Sequence, residues 1–135
     1  RRRQQVPVSP ARFFQLTDPI PGQYWRDNTV GVMVASPLNP TGTALTADDM
    51  QALLVLFQAR GGYFIVYEIY QDLVFGDAAA SVLGMTYQAF VLNSFSKYFG
   101  MTGWRLGWIV VPPEFIETAT KLAQNLYISA TSIAQ

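Results

Sequence analysis

The chain has 135 residues, enough for one domain with a buried hydrophobic core. Lys and Arg number 9 and Asp and Glu number 9, a formal net charge of +0, so no global field favours nucleic acid or an anionic membrane. With no cysteine and no histidine, disulfides, thiolate metal sites, Ser-His-Asp and Cys-His catalysis are excluded, and no metal site is expected. Acid-base chemistry then falls to Lys, Tyr, Asp and Glu, and the lysines are only Lys97 and Lys121.

In chain order, residues 1–28 read as an irregular connecting segment. Arg1-Arg2-Arg3 leads into Gln4 and Gln5 rather than a signal-type apolar stretch, and no apolar run reaches the roughly 18 residues of a membrane span. A soluble, cytoplasmic protein is expected. Val6-Pro7-Val8 suits a short strand, while Pro10, Pro19, Pro21 and Gly22 break any longer period. From Thr29 the signals become regular. Val30 to Ala35 is a continuous apolar run, as in a strand buried on both faces, and ends in the turn-forming Ser36-Pro37-Leu38-Asn39-Pro40-Thr41-Gly42. Thr46 and Asp49 form a variant capping box, after which Met50, Leu53, Leu54 and Phe57 share one helical face up to Gly61-Gly62, predicting a helix over about 46–60. Phe64 to Tyr67, Val91-Leu92 with their neighbours, and Leu106 to Val111 are further strands. Pro112-Pro113 then opens a helix carrying Phe115, Ile116, Ala119, Leu122 and Ala123.

Val- and Ile-rich strands separated by a helix and loops predict an α/β fold, a mostly parallel sheet with helices on both faces. Ligands of such sheets collect beyond the carboxyl ends of the strands, and Asn39, Tyr70, Ser94, Ser96 and Lys97 all follow strands. The stretch from Asn93 to Trp108 carries the most chemistry. A lysine just past a buried strand can lose solvation and become the neutral amine that attacks a carbonyl. Ser94, and Arg105 further on, supply a hydroxyl and a fixed cation suited to a phosphate dianion. Glycines at 100, 103 and 107 allow close backbone approach. A lysine beside a phosphate clamp describes a pocket for pyridoxal 5'-phosphate (PLP).

Ser94-Phe95-Ser96-Lys97 with Gly100-Met101-Thr102-Gly103-Trp104-Arg105-Leu106-Gly107 resembles the Schiff-base signature of class I/II, fold-type I PLP-dependent aminotransferases. Asn39-Pro40-Thr41-Gly42 resembles the family's Asn-Pro-Thr-Gly loop, and Glu68-Ile69-Tyr70 its Asp-Glu-Ile-Tyr segment, in the same order and at matching spacing. The resemblance implies that 29–135 is the PLP-binding core, part of a larger aminotransferase large domain, and that the whole protein is a homodimer acting on an amino acid and a 2-oxo acid. It makes Lys97 and Tyr70 catalytic, Lys97 being the Schiff-base lysine. Asn39 and Tyr70 would bond the cofactor's phenolic oxygen, and Ser94, Ser96 and Arg105 would grip its phosphate. Ser96 divides evenly between that role and a helix cap.

One position departs from the pattern. The acid that keeps the pyridine nitrogen protonated in the family is replaced by Tyr67, and strand alternation turns Glu68 to the opposite face. Three readings stay open: an aminotransferase, another fold-type I PLP enzyme such as a carbon-sulfur lyase or decarboxylase, and a non-catalytic PLP-sensing domain. The family's glycine-containing phosphate loop, ring-stacking aromatic and later small domain have no counterpart in these residues, so a central slice of the large domain is expected.

Overall fold

The computed structural model describes residues 3–17 and 20–135. After a 3-10 turn at Pro10–Arg12 come α1 (Ile20–Tyr24), β1 (Gly31–Ala35), α2 (Ala47–Gln58), β2 (Tyr63–Tyr67), β3 (Ala89–Ser94), β4 (Gly107–Val110) and α3 (Ile116–Leu126). The four strands form one sheet in the order β1-β2-β3-β4. The first two pairings are parallel, with Val34 opposite Val66 and Val66 opposite Val91. β4 returns antiparallel along β3, Gly107 opposite Ser94. The segment joining β3 to β4 contains only a 3-10 turn, Thr102–Trp104, and doubles back so that β4 runs against β3. The sheet is therefore mixed, with a parallel centre.

Local sequence accounts for α2. The Thr46 hydroxyl accepts from the Asp49 N–H at 3.1 Å and the Asp49 carboxylate accepts from the Thr46 N–H at 3.4 Å, so two orphan donors of the first turn are satisfied reciprocally. The four apolar side chains at helical spacing, Met50, Leu53, Leu54 and Phe57, are all buried. They meet Phe64, Val66, Ala89 and Val91, the inward residues of β2 and β3, in one core. Each large side chain withdrawn from water there stabilises the fold by about 1.5–3 kcal/mol before entropy is counted. On the opposite face Tyr63 packs edge to face against Phe90 and Phe115, which lie tilted against each other. Phe115 belongs to the 3-10 turn Pro113–Phe115 that leads into α3.

The opening segment is more than a connector. Gln15 and Leu16 are buried, and the ring of Trp25 stacks on Phe57 at 5.8 Å. A Cβ at Gly62 would lie 2.2 Å from the Trp25 ring, so a larger residue there would displace that ring. The strand predicted at Val6-Pro7-Val8 does not form: Val6 packs against the core, but Pro7 has no N–H to donate to a ladder. No helix among the described residues is long and apolar enough to cross a membrane.

Glu68, the residue after β2, is 2% exposed. One carboxylate oxygen accepts from the Ser81 hydroxyl and the other from the Val82 N–H, both at 2.9 Å. Burial pushes its pKa up, and the two hydrogen bonds offset that in part. A carboxyl whose folded pKa is raised binds its proton more tightly when folded, so its contribution to stability is complete below the unfolded pKa and lost as pH rises through the folded one. Urea unfolding across the acid-to-neutral range checks this: stability of the wild type relative to Glu68→Gln should fall as pH rises. Glu68→Ala should cost about 1–3 kcal/mol by orphaning the Val82 N–H and the Ser81 hydroxyl.

Candidate functional site

Three chain segments leave the sheet at the carboxyl ends of β1, β2 and β3, and the predicted site residues lie on them. After β1, Ser36 is tied to the end of β2 by its N–H, which donates to the Tyr67 carbonyl at 3.2 Å. Its buried hydroxyl accepts from the Leu45 N–H at 2.9 Å. The loop closes through Leu38 N–H to the Thr43 carbonyl and Gly42 N–H to the Leu38 carbonyl, at 2.8 and 2.7 Å. Gly42 sits at φ +71, a conformation that favours glycine. This scaffold brings Asn39 to Tyr70, whose phenol oxygen accepts from the Asn39 side-chain amide at 3.0 Å.

After β2, alternation separates two neighbours. Tyr67 faces the same side as Ile65 and lines a cleft, while Glu68 turns to the other side and is held by Ser81 and Val82. The cleft, about 380 Å³, is lined by Tyr67, Ser94, Ser96, Lys97, Thr102 and Arg105 among others, and falls within the roughly 300–1,000 Å³ typical of small-molecule sites.

After β3 the chain folds back on itself. The Ser94 hydroxyl accepts from the Ser96 N–H at 3.1 Å, and the Thr102 hydroxyl donates to the Ser96 carbonyl at 2.6 Å. The Phe95 and Met101 N–H groups donate to the Leu106 and Phe95 carbonyls, each at 3.1 Å. No helix follows Ser96, so its alternative role as a helix cap falls away. Phe95 stands between Phe99 and Trp108, with both ring-centroid separations 5.0 Å, so these aromatics are packing residues of the loop. Arg105 adopts the left-handed conformation at φ 56, which costs a non-glycine residue on the order of 1–3 kcal/mol. Its guanidinium donates to the Thr102 carbonyl at 2.9 Å and makes no ion pair among the described residues. Gly107 allows β4 to approach: a Cβ there would lie 2.9 Å from the Ser94 Cβ.

Lys97 is exposed in this chain. Its ammonium lies 5.7 Å from the centre of the Tyr70 ring, within cation-π range. Lys97 thus neighbours the Asn39-Tyr70 pair through Tyr70 and the hydroxyl-guanidinium group through the cleft. Sequence reasoning assigned no role to Thr102, which lines the cleft, or to Gln15. The Gln15 amide donates to the Thr43 carbonyl at 2.5 Å and the Thr43 hydroxyl to the Phe13 carbonyl at 2.7 Å, which braces the Asn39 loop from the opening segment. A polar Gln beside Leu16 gave no periodic signal. No group of three or more metal-capable side chains occurs among the described residues.

Comparison with known proteins gives the same picture from another side. The chain is 40% identical over 107 residues to a valine–pyruvate aminotransferase of Mycobacterium tuberculosis, a match covering 78% of this chain and 28% of that protein. It is 36% identical over 112 residues to an aspartate aminotransferase of Geobacillus stearothermophilus, covering 79% and 28%. The crystal structure of an aminotransferase from Mycobacterium tuberculosis superposes with a TM-score of 0.88 at 36% identity, over 96% of this chain and 36% of that one. The chain therefore spans under a third of the length of these curated relatives. The family model for aminotransferase class I and II matches residues 15–135, and the chain belongs to that family.

Proposed function

We propose that the protein carrying this chain is a PLP-dependent aminotransferase, moving an amino group between an amino acid and a 2-oxo acid, with Lys97 as the amine that holds the cofactor. The observation that carries this reading is the convergence of an amine, a bonded amide-phenol pair and a hydroxyl-guanidinium cluster at one edge of a parallel sheet. The donor set fits the cofactor at both ends. Asn39 donates to Tyr70, which leaves the phenol O–H and the second amide N–H for an ionised ring oxygen. Ser94, Ser96 and Arg105 line the cleft together and suit a phosphate dianion. Tyr67 does not fit the acid expected beside a protonated ring nitrogen.

When bound, PLP supplies an electron-withdrawing ring that stabilises negative charge at the substrate α-carbon. Lys97 would hold the cofactor through its Nζ, and as a free amine at that atom it would accept and return a substrate proton. Tyr70 and Asn39 hold the ring oxygen in its ionised form. Arg105 neutralises phosphate charge and fixes the cofactor's orientation. The family resemblance extends the reading to a cytoplasmic homodimer. Exposed apolar side chains such as Trp108, Ile109, Leu122 and Leu126 support contact with further chain or a second subunit.

Borohydride reduction of the purified protein with PLP, followed by peptide mass analysis, should place the adduct on Lys97; an adduct confined to Lys121 would overturn the proposal. Lys97→Ala should lose the adduct and slow amino-donor-dependent formation of pyridoxamine phosphate by roughly 10²–10⁴-fold. Release of pyruvate or carbon dioxide in place of that product would assign the protein to the lyases or decarboxylases. Asn39→Ala should weaken PLP binding about tenfold to a hundredfold, the loss of a hydrogen bond to a charged oxygen, read from cofactor absorbance in an equilibrium titration.

A further inference from the structure

The cleft carries an unusual inventory of charge. Two cations, Lys97 and Arg105, and the hydroxyls of Ser94, Ser96, Thr102 and Tyr67 line it, with Ile69, Leu106 and Gly107 completing the wall. None of these lining residues is a carboxylate. The adjacent acid in sequence, Glu68, points to the opposite side of β2, buried, with one oxygen on the Ser81 hydroxyl and the other on the Val82 N–H. Rotating it into the cleft would orphan both donors, so it is not available as a substitute. Asp72 is exposed beyond Tyr70 and does not line the cleft.

With Lys97 bonded to the cofactor and Arg105 on its phosphate, the lining of the cleft among the described residues offers a pyridine nitrogen neutral hydroxyls and no carboxylate. An anion within about 4–6 Å favours a cationic form by about 1–3 pKa units, and nearby cations act in the opposite direction. Phenols are neutral at pH 7 and either donate or accept a hydrogen bond. Toward an unprotonated ring nitrogen, Tyr67 is a donor; toward a protonated one it offers an acceptor without charge.

We propose that this cleft holds PLP with its ring nitrogen unprotonated, Tyr67 serving as the neutral partner of that nitrogen, so that the site retains the cofactor while withdrawing few electrons through the ring. The inference rests on the proposed PLP reading and adds to it a substrate-facing consequence: removal of the α-proton from a bound amino acid is slow in this protein, for want of a carboxylate rather than for want of a lysine. Tyr67 acts directly on the cofactor, and its substitution therefore moves an observable of the cofactor itself.

The test is nitrogen NMR of the holoprotein loaded with PLP labelled with ¹⁵N in the ring, at neutral pH, together with the mass of the borohydride-reduced protein. The wild type and Tyr67→Phe should both show the resonance of an unprotonated pyridine. Tyr67→Asp should move it to the protonated position and speed the half-reaction with an amino donor by roughly 10–1,000-fold, the ratio corresponding to a shift of about 1–3 pKa units. A protonated resonance in the wild type, with the Lys97 adduct present, overturns this inference and leaves the PLP reading standing. Absence of the adduct overturns both. If Tyr67→Asp fails to fold, the wild-type and Tyr67→Phe resonances decide the matter.

Discussion

Because β2 runs parallel to both β1 and β3, three stretches far apart in sequence leave the sheet at the same edge. Asn39 follows the first strand, Tyr67 and Tyr70 end or follow the second, and Ser94 and Lys97 end or follow the third. An antiparallel β2 would send its C-terminal residues to the far edge, and the bond between Asn39 and Tyr70 could not form. One face of the parallel centre is buried in the core, while Met33 and Tyr63 on the other stay exposed. The α2 side chains cover one and the Tyr63-Phe90-Phe115 cluster reaches the other. The geometry of the cleft thus depends on a core that does not line it.

The period of two along β2 has an equally direct chemical effect. Tyr67 and Glu68 are adjacent in sequence yet serve different masters, one at the cleft and the other at the buried start of the Val82–Gly84 turn. A carboxylate one residue away thus faces away from the cleft, which Lys97 and Arg105 line. The acid is committed to folding, and the phenol faces the cleft.

Much of this was legible in the residues themselves. The four strands stand within a residue or two of their predicted bounds, and α2 begins at the capping box that Thr46 and Asp49 announce, because apolar periodicity and turn chemistry act locally. The direction of β4 was not legible: a run such as Leu106 to Val111 looks alike in either orientation, and only the length and content of the preceding loop decide it. The bracing of the Asn39 loop by Gln15 was hidden for a related reason, since it joins segments 28 residues apart and leaves no spacing rule to find.

The antiparallel return of β4 also bears on how the cleft is assembled. Ser94 and Gly107 are paired across the β3-β4 excursion, so the hydroxyl-guanidinium half of the cleft is organised by one local chain reversal. The Asn39-Tyr70 half joins residues 31 apart and requires a complete strand-helix-strand crossover to be in place. Contacts of short sequence separation form sooner than those across a crossover. The half of the cleft built by this chain reversal should therefore be structured while the Asn39-Tyr70 half is still open.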